Sequence, residues 1–199
     1  MTELGFDVPA GATDCHMHIF GDPAEFPPAA WRAYNPTPAT LPTYNAEAAR
    51  MGLSRVVFVQ PSAYGTDNAC MKAALRARPD TSRGIAVIDA ATRDTELREL
   101  KKLGVRGVRL NLVSNGIPDI AAATAQLQET AARVKKLGWH IQIYAQSDLL
   151  AGKAAWLNDA QKAGLAVIPT IAISRAAWDA LQRERRQHEV AERDGIAEA

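Results

Sequence analysis

Short apolar runs alternate with helix-forming stretches along this chain, and that rhythm leaves few folds open. The runs fall at 13–21, 55–61, 84–89, 105–111, 139–144 and 165–168. Between them lie stretches with helix signals. Asn45 caps one that Gly52 closes, a second covers 68–78, and Thr92 or Asp94 opens a third that stops at Gly104. A long amphipathic segment over 120–137 ends at Gly138, and 149–163 ends at Gly164. Alternating strand and helix predicts a parallel sheet with right-handed crossovers. That leaves a doubly wound sheet or a (β/α) barrel. No glycine-rich phosphate loop follows the first run, which disfavours a dinucleotide or P-loop fold. Polar residues at several strand ends favour the barrel. A complete barrel needs about 250 residues and eight units; this chain has 199 residues and six units at most. The fold class is therefore α/β, an incomplete (β/α)8 barrel. Residues 1–168 are expected to form it. Residues 169–199 read as a charged, helix-prone tail whose large apolar residues are few, Trp178, Leu181, Val190 and Ile196 among them.

The 23 basic and 22 acidic side chains nearly cancel. No strong field recruits nucleic acid or an anionic membrane, although one or two local arginines can still hold a small anion. Cys15 and Cys70 are too few for a disulfide framework and read as buried small apolars, so a reducing cytoplasm is the expected location. The first twelve residues carry no signal-peptide pattern, and no apolar run approaches the ~20 residues of a membrane span.

The first run is also the most polar. In Thr13-Asp14-Cys15-His16-Met17-His18 the two histidines stand two apart, so strand alternation gives them one face. Asp14 is expected on that face, with Cys15 and Met17 on the other. Such a cluster suits a metal pair, or a general base beside an electrophile. A pair of hydrogen-bonded core histidines is the plain alternative. Gly21-Asp22-Pro23 ends the strand, placing the pair near the C-terminal edge, where parallel α/β folds build sites. Residues 21–43 are too rich in proline for a helix or strand and read as a long ordered loop. Trp31 and Tyr34 make it either self-packed or a lid.

Alternation selects further inward candidates. Arg109 shares a face with Gly107 and Asn111, and His140 with Gln142 and Tyr144. Arg109 at a barrel mouth is a fit carboxylate binder. Arg106 reads as an outer-face residue paired with a helix carboxylate, and Asp67 as a helix cap. His140 is a binding candidate or a satisfied core histidine.

Four motifs, in order, then resemble the amidohydrolase-related family, in the branch typified by 2-pyrone-4,6-dicarboxylate lactonase. They are Asp14-Cys15-His16-Met17-His18-Ile19-Phe20-Gly21, Val59-Gln60-Pro61-Ser62-Ala63-Tyr64-Gly65-Thr66-Asp67-Asn68, Gly104-Val105-Arg106-Gly107-Val108-Arg109-Leu110-Asn111 and Gly138-Trp139-His140-Ile141-Gln142-Ile143-Tyr144. The resemblance covers about residues 10–165. It implies a distorted (β/α)8 barrel that hydrolyses lactones, or related esters and amides, of small carboxylated compounds. It implies that His16 and His18 polarise or orient the substrate carbonyl. Tyr34, Ser62, Arg109 and Tyr144 would hold carboxylate and carbonyl oxygens, with His140 a further binding candidate. By the same resemblance the branch works without a cofactor, although related amidohydrolases need a metal; a divalent ion such as zinc would fall on His16 and His18.

The chain also departs from the pattern. Asn115 stands where a second arginine is expected, which widens the substrate to other lactones or a monocarboxylate. Pro169-Thr170-Ile171 replaces the family's Asp-His-x-Gly motif, and no later strand carries the catalytic aspartate; Asp179 and Asp194 lie in the charged tail. Loss of a general base costs about 10²–10⁴ in rate. The expectation is thus a weakened or inactive lactone hydrolase. The alternative is a non-catalytic remnant or anion-binding module. A third reading is an interaction protein whose open barrel edge is covered by a partner chain, such as a second copy.

Overall fold

The structure, a computed structural model, describes residues 7–113, 120–146 and 166–172. Six parallel strands, β1 (Thr13–Met17), β2 (Arg55–Val59), β3 (Ser82–Ala86), β4 (Val105–Asn111), β5 (His140–Gln146) and β6 (Val167–Ala172), pair in sequence order. Helices α1 (Leu41–Arg50), α2 (Ala69–Ala77), α3 (Asp94–Lys102) and α4 (Ile120–Val134) connect them. A doubly wound sheet reverses its strand order at a switch point. This sheet does not, so it is the first part of a barrel wall. The expected helix over 149–163 and most of the tail lie outside the described residues. No helix among the described residues is long and apolar enough to cross a membrane.

The wall has two chemically distinct faces. Val56, Phe58, Val108, Leu110, Ile141 and Ile143 point outward and join Leu75, Leu97, Leu100, Leu127 and Val134 of the helices in one core. Phe58, Leu75, Leu100 and Ile141 are wholly buried, and each such side chain stabilises the fold by about 1.5–3 kcal/mol. Glu99 of α3 bridges Lys72 and Arg76 of α2 at 2.9 Å on the outer surface. Beside the apolar Val59 and Ile85, the inner face carries buried polar side chains, Arg109, Asn111 and Gln142. Register sets them in rows. Gly107 pairs with His140 at the bottom, Arg109 with Gln142 above, and Asn111 with Tyr144 at the top. The top row continues to Thr170 of β6.

Four boundaries differ from the sequence expectation, each for a physical reason. Helix α1 begins inside the proline-rich segment, because Pro42 lies in its first turn, where proline is tolerated; Thr40 caps it by accepting from the Thr43 amide. Strand β3 starts and stops earlier than 84–89. Ser82 already pairs with Val56, and Asn68 takes over both the N–H and the C=O of Val87. Strand β6 runs through Pro169 to Ala172, beyond the expected end at 168; as the edge of the described sheet it tolerates proline's missing N–H. In β1 the pairing slips between Asp14 and Met17, which oppose Val56 and Phe58. That bulge adds one residue.

The bulge corrects the expected arrangement around the histidines. Asp14 is in register with outward-facing Val56 and turns towards α1 and Tyr44, not onto the histidine face. Burial, with the Asp14 charge adding to it, pushes the Tyr44 phenol up to about 12. Cys15 is exposed rather than buried, since β1 has no strand beyond it among the described residues; Cys70 is buried as expected.

The long loop after β1 is pinned to the barrel mouth. Phe20 and Ala39 exchange both backbone hydrogen bonds at its base. The Ala29 amide donates to the Ala63 carbonyl, and the Gly21 amide to the Tyr64 hydroxyl. Gly21 also lies so close to the Phe26 ring that a Cβ would sit 2.5 Å from it.

Candidate active site

His18 lies just past the end of β1. Its Nδ1 is 2.7 Å from the Val59 carbonyl, which can only accept, so Nδ1 carries the proton and Nε2 presents a lone pair. Arg109 Nη1 stands 3.5 Å from that Nε2. Burial, countered by the Val59 hydrogen bond and reinforced by the Arg109 and His16 charges, lowers the His18 pKa to about 4. The ring is therefore neutral near pH 7.

His16 packs edge-to-face on His18, ring centroids 5.0 Å apart. Its own amide donates to Asp14 Oδ1 at 3.0 Å. Gln142 Nε2 is 3.4 Å from its Nδ1. Burial and then the Arg109 charge lower its pKa, and Asp14 works in the opposite direction.

Arg109 is 7% exposed, with its guanidinium 4.8 Å above the Tyr144 ring. Nη1 reaches the Gln60 carbonyl only at 3.5 Å, and Nε has no partner. Burial lowers its pKa, while Tyr144 and Tyr34 raise it. No carboxylate approaches this cation among the described residues. The nearby strand-end carboxylates are committed to backbone: Asp22 to the Ala24 amide, Asp67 to Ala69 at the start of α2, and Asp89 to Thr92.

Ser62 opens a short 3-10 turn after β2. With Trp31, Gln60, Arg109 and Asn111 it lines a cavity of about 80 Å³. Trp31 and Tyr34 are both exposed; Trp31 lies against Gly65, and Tyr34 packs edge-on to Phe20 at 6.4 Å. The structure thus gathers His16, His18, Arg109, Tyr144 and Ser62 around the mouth, with Tyr34 on the loop above.

His140 is set apart from this group. It lies one row below Gln142, its ring occupying the space over Gly107 and bonded to the Arg106 backbone. A Cβ at Gly107 would meet that ring at 2.7 Å. Gly107→Ala is expected to cost about 1–3 kcal/mol, and pairing it with His140→Ala to recover part of the loss in urea unfolding. Additive losses would show that the two side chains do not share this space. Arg106 is exposed as expected, yet its guanidinium bonds to the Lys101 and Val105 carbonyls rather than to a helix carboxylate.

Sequence reading left two buried amides out of the site. Gln60, wholly buried, donates to the Gly65 and Asp67 carbonyls and so shapes the loop that holds Ser62. Gln142 touches His16. Strand alternation already put Gln142 on the inner face; its tie to β1 was not visible in either segment alone.

Amidohydrolases often use a divalent metal. Among the described residues no three His, Cys, Asp or Glu side chains gather as ligands. The one lone pair that His18 offers is faced by a guanidinium, and Asp14 points away. This donor set does not fit a divalent cation, and no step below runs through one.

A singly wound parallel wall, with imidazoles and a buried guanidinium at the C-terminal ends of its strands, is part of a (β/α) barrel with its polar side chains where such barrels build their sites. The sequence profile of the amidohydrolase family matches residues 13–198, and the chain belongs to that family. It is 39% identical over 142 residues to a 2-pyrone-4,6-dicarboxylate hydrolase of Comamonas testosteroni, covering 71% of this chain and 46% of that protein. It is 35% identical over 150 residues to a 4-sulfomuconolactone hydrolase of Rhizobium radiobacter, covering 75% and 50%. A solved structure of a probable 2-pyrone-4,6-dicarboxylic acid hydrolase from Acinetobacter baumannii, with citric acid bound, superposes with a TM-score of 0.68. Its identity is 29%, over 80% of this chain and 57% of that one. The chain spans about half the length of the curated relatives it matches.

Proposed function

We propose that this chain carries the carbonyl-binding and anion-binding part of a lactone hydrolase site. The reaction is water attack on the ring ester (or a related ester or amide) of a small carboxylated compound. The observation that carries this reading is Arg109: a buried guanidinium without a carboxylate partner among the described residues, beside a neutral histidine pair. A substrate carboxylate completes that charge, since paired ionised groups bond most strongly to arginine. Tyr144 stacks the guanidinium in place, and Ser62 and Tyr34 offer hydroxyls to the remaining oxygens. His16 and His18 flank the carbonyl whose oxygen gains charge as water adds. The names of the relatives support this substrate class, as does citric acid in the Acinetobacter protein. Both thiols are free, which supports a reducing cytoplasm as the location.

One observation favours a second reading, an anion-binding module without turnover. Asp22, Asp67 and Asp89 at the strand ends each accept from a backbone amide, and none of the three bonds to a site histidine among the described residues. Purified protein offered pyrone dicarboxylate and muconolactone-type substrates, with and without chelator, separates the two. Turnover that survives the chelator supports the hydrolase. Citrate binding by calorimetry without turnover supports the module, and neither binding nor turnover would sink both.

A further inference from the structure

We infer that Gln142 is a positioning residue that holds His16 with its proton on Nε2, so that this imidazole presents a donor to the substrate while the neighbouring His18 presents its lone pair to Arg109. Gln142 sits on the inner face of β5, level with Arg109 and 8% exposed. Its Nε2 is 3.4 Å from His16 Nδ1. With the amide nitrogen turned towards it, Nδ1 accepts and the proton sits on Nε2; an amide turned the other way would accept from Nδ1–H, and the spectra below separate the two. His18 is held the opposite way, because the Val59 carbonyl claims its Nδ1–H. Both rings have lowered pKa values and are neutral near pH 7. Charge does not distinguish them there; the tautomer does. His16 Nε2–H then donates to the carbonyl oxygen, while His18 Nε2 accepts from Arg109 Nη1 and holds the guanidinium beside it.

Gln142 Oε1 is buried with no partner among the described residues. The amide therefore keeps an open acceptor at the level of Arg109, free for a hydroxyl or water that arrives with the substrate.

The catalytic consequence rests on the hydrolase reading; the tautomer itself does not. The test uses the 199-residue chain labelled with ¹⁵N-histidine. Long-range ¹H–¹⁵N correlation at pH 7.5 is expected to show the Nε2–H pattern for His16 and the Nδ1–H pattern for His18. Gln142→Glu puts an acceptor beside Nδ1, so His16 should move to Nδ1–H or the imidazolium and titrate at higher pH. Its kcat should fall about 100-fold, the low end for misplaced acid–base groups, while KM stays near wild type because Arg109 is untouched. Gln142→Leu should give mixed His16 tautomers and a smaller loss. A wild-type His16 protonated on Nδ1, or a Gln142→Glu variant with an unchanged His16 spectrum and pH profile, overturns the inference. If no lactone is turned over while the tautomers are as stated, the hydrolase reading fails and the positioning role stands.

Discussion

Arg109→Met is expected to abolish anion binding while leaving the fold as stable as before, or more stable. The two halves of that result have one cause. A guanidinium moved out of water costs several kcal/mol unless a partner compensates it. Here the compensation within the described residues is slight: an aromatic face, two contacts at 3.5 Å and an unpartnered Nε. Methionine fills most of the same volume and removes the buried charge, so urea unfolding should show no loss. Binding should respond in the opposite direction. Breaking a buried charge pair typically costs 2–5 kcal/mol, which is about 30- to 4,000-fold in kcat/KM or in the citrate Kd. Arg109→Lys should fall between, because an ammonium neither stacks on Tyr144 nor offers two parallel donors. If Arg109→Met lowers stability by more than about 2 kcal/mol while citrate affinity is retained, the arginine is a structural cation and the anion site lies elsewhere.

The strand–helix rhythm was legible because it is local. Arg109 could be singled out before any fold was known, since an arginine on the Gly107–Asn111 face of a buried strand has nowhere to go but the barrel mouth. The errors came from interactions between segments. Asp14 was assigned to the histidine face by strict alternation, and a one-residue bulge against β2 reversed it. Strand β3 was read too late because Asn68, from another element, ends it at Val87. The first turn of helix α1 was missed for a different reason, by counting prolines without asking where in a turn they fall. Gln142 has the same history: its face was legible and its partner was not, because His16 is 126 positions away.

His18 should make the fold acid-labile over a defined window. Its folded pKa is about 4 against an ordinary 6.5, through burial first and then the Arg109 and His16 charges. Between those values the unfolded chain binds a proton that the folded chain refuses, so stability rises with pH there. The contribution is complete above pH 6.5 and is lost as pH falls towards 4. A shift of about 2.5 units corresponds to about 3 kcal/mol. His16 and His140 also have lowered values and add slope of the same sign. His18→Asn keeps a donor for the Val59 carbonyl but has no group to protonate. Its stability difference between pH 7 and pH 4 should shrink by about 3 kcal/mol, leaving the remainder from the other two histidines. Turnover should fall about 10²–10⁴-fold at every pH, since the loss is of a positioned acceptor and not of a charge state. Urea unfolding of both proteins across pH 4–7 reads the first effect, and the pH–rate profile reads the second. Parallel stability curves for wild type and His18→Asn would mean that His18 takes up its proton without unfolding. In that case the guanidinium 3.5 Å away must move to admit the new charge, and the site would open in acid while the wall stayed folded.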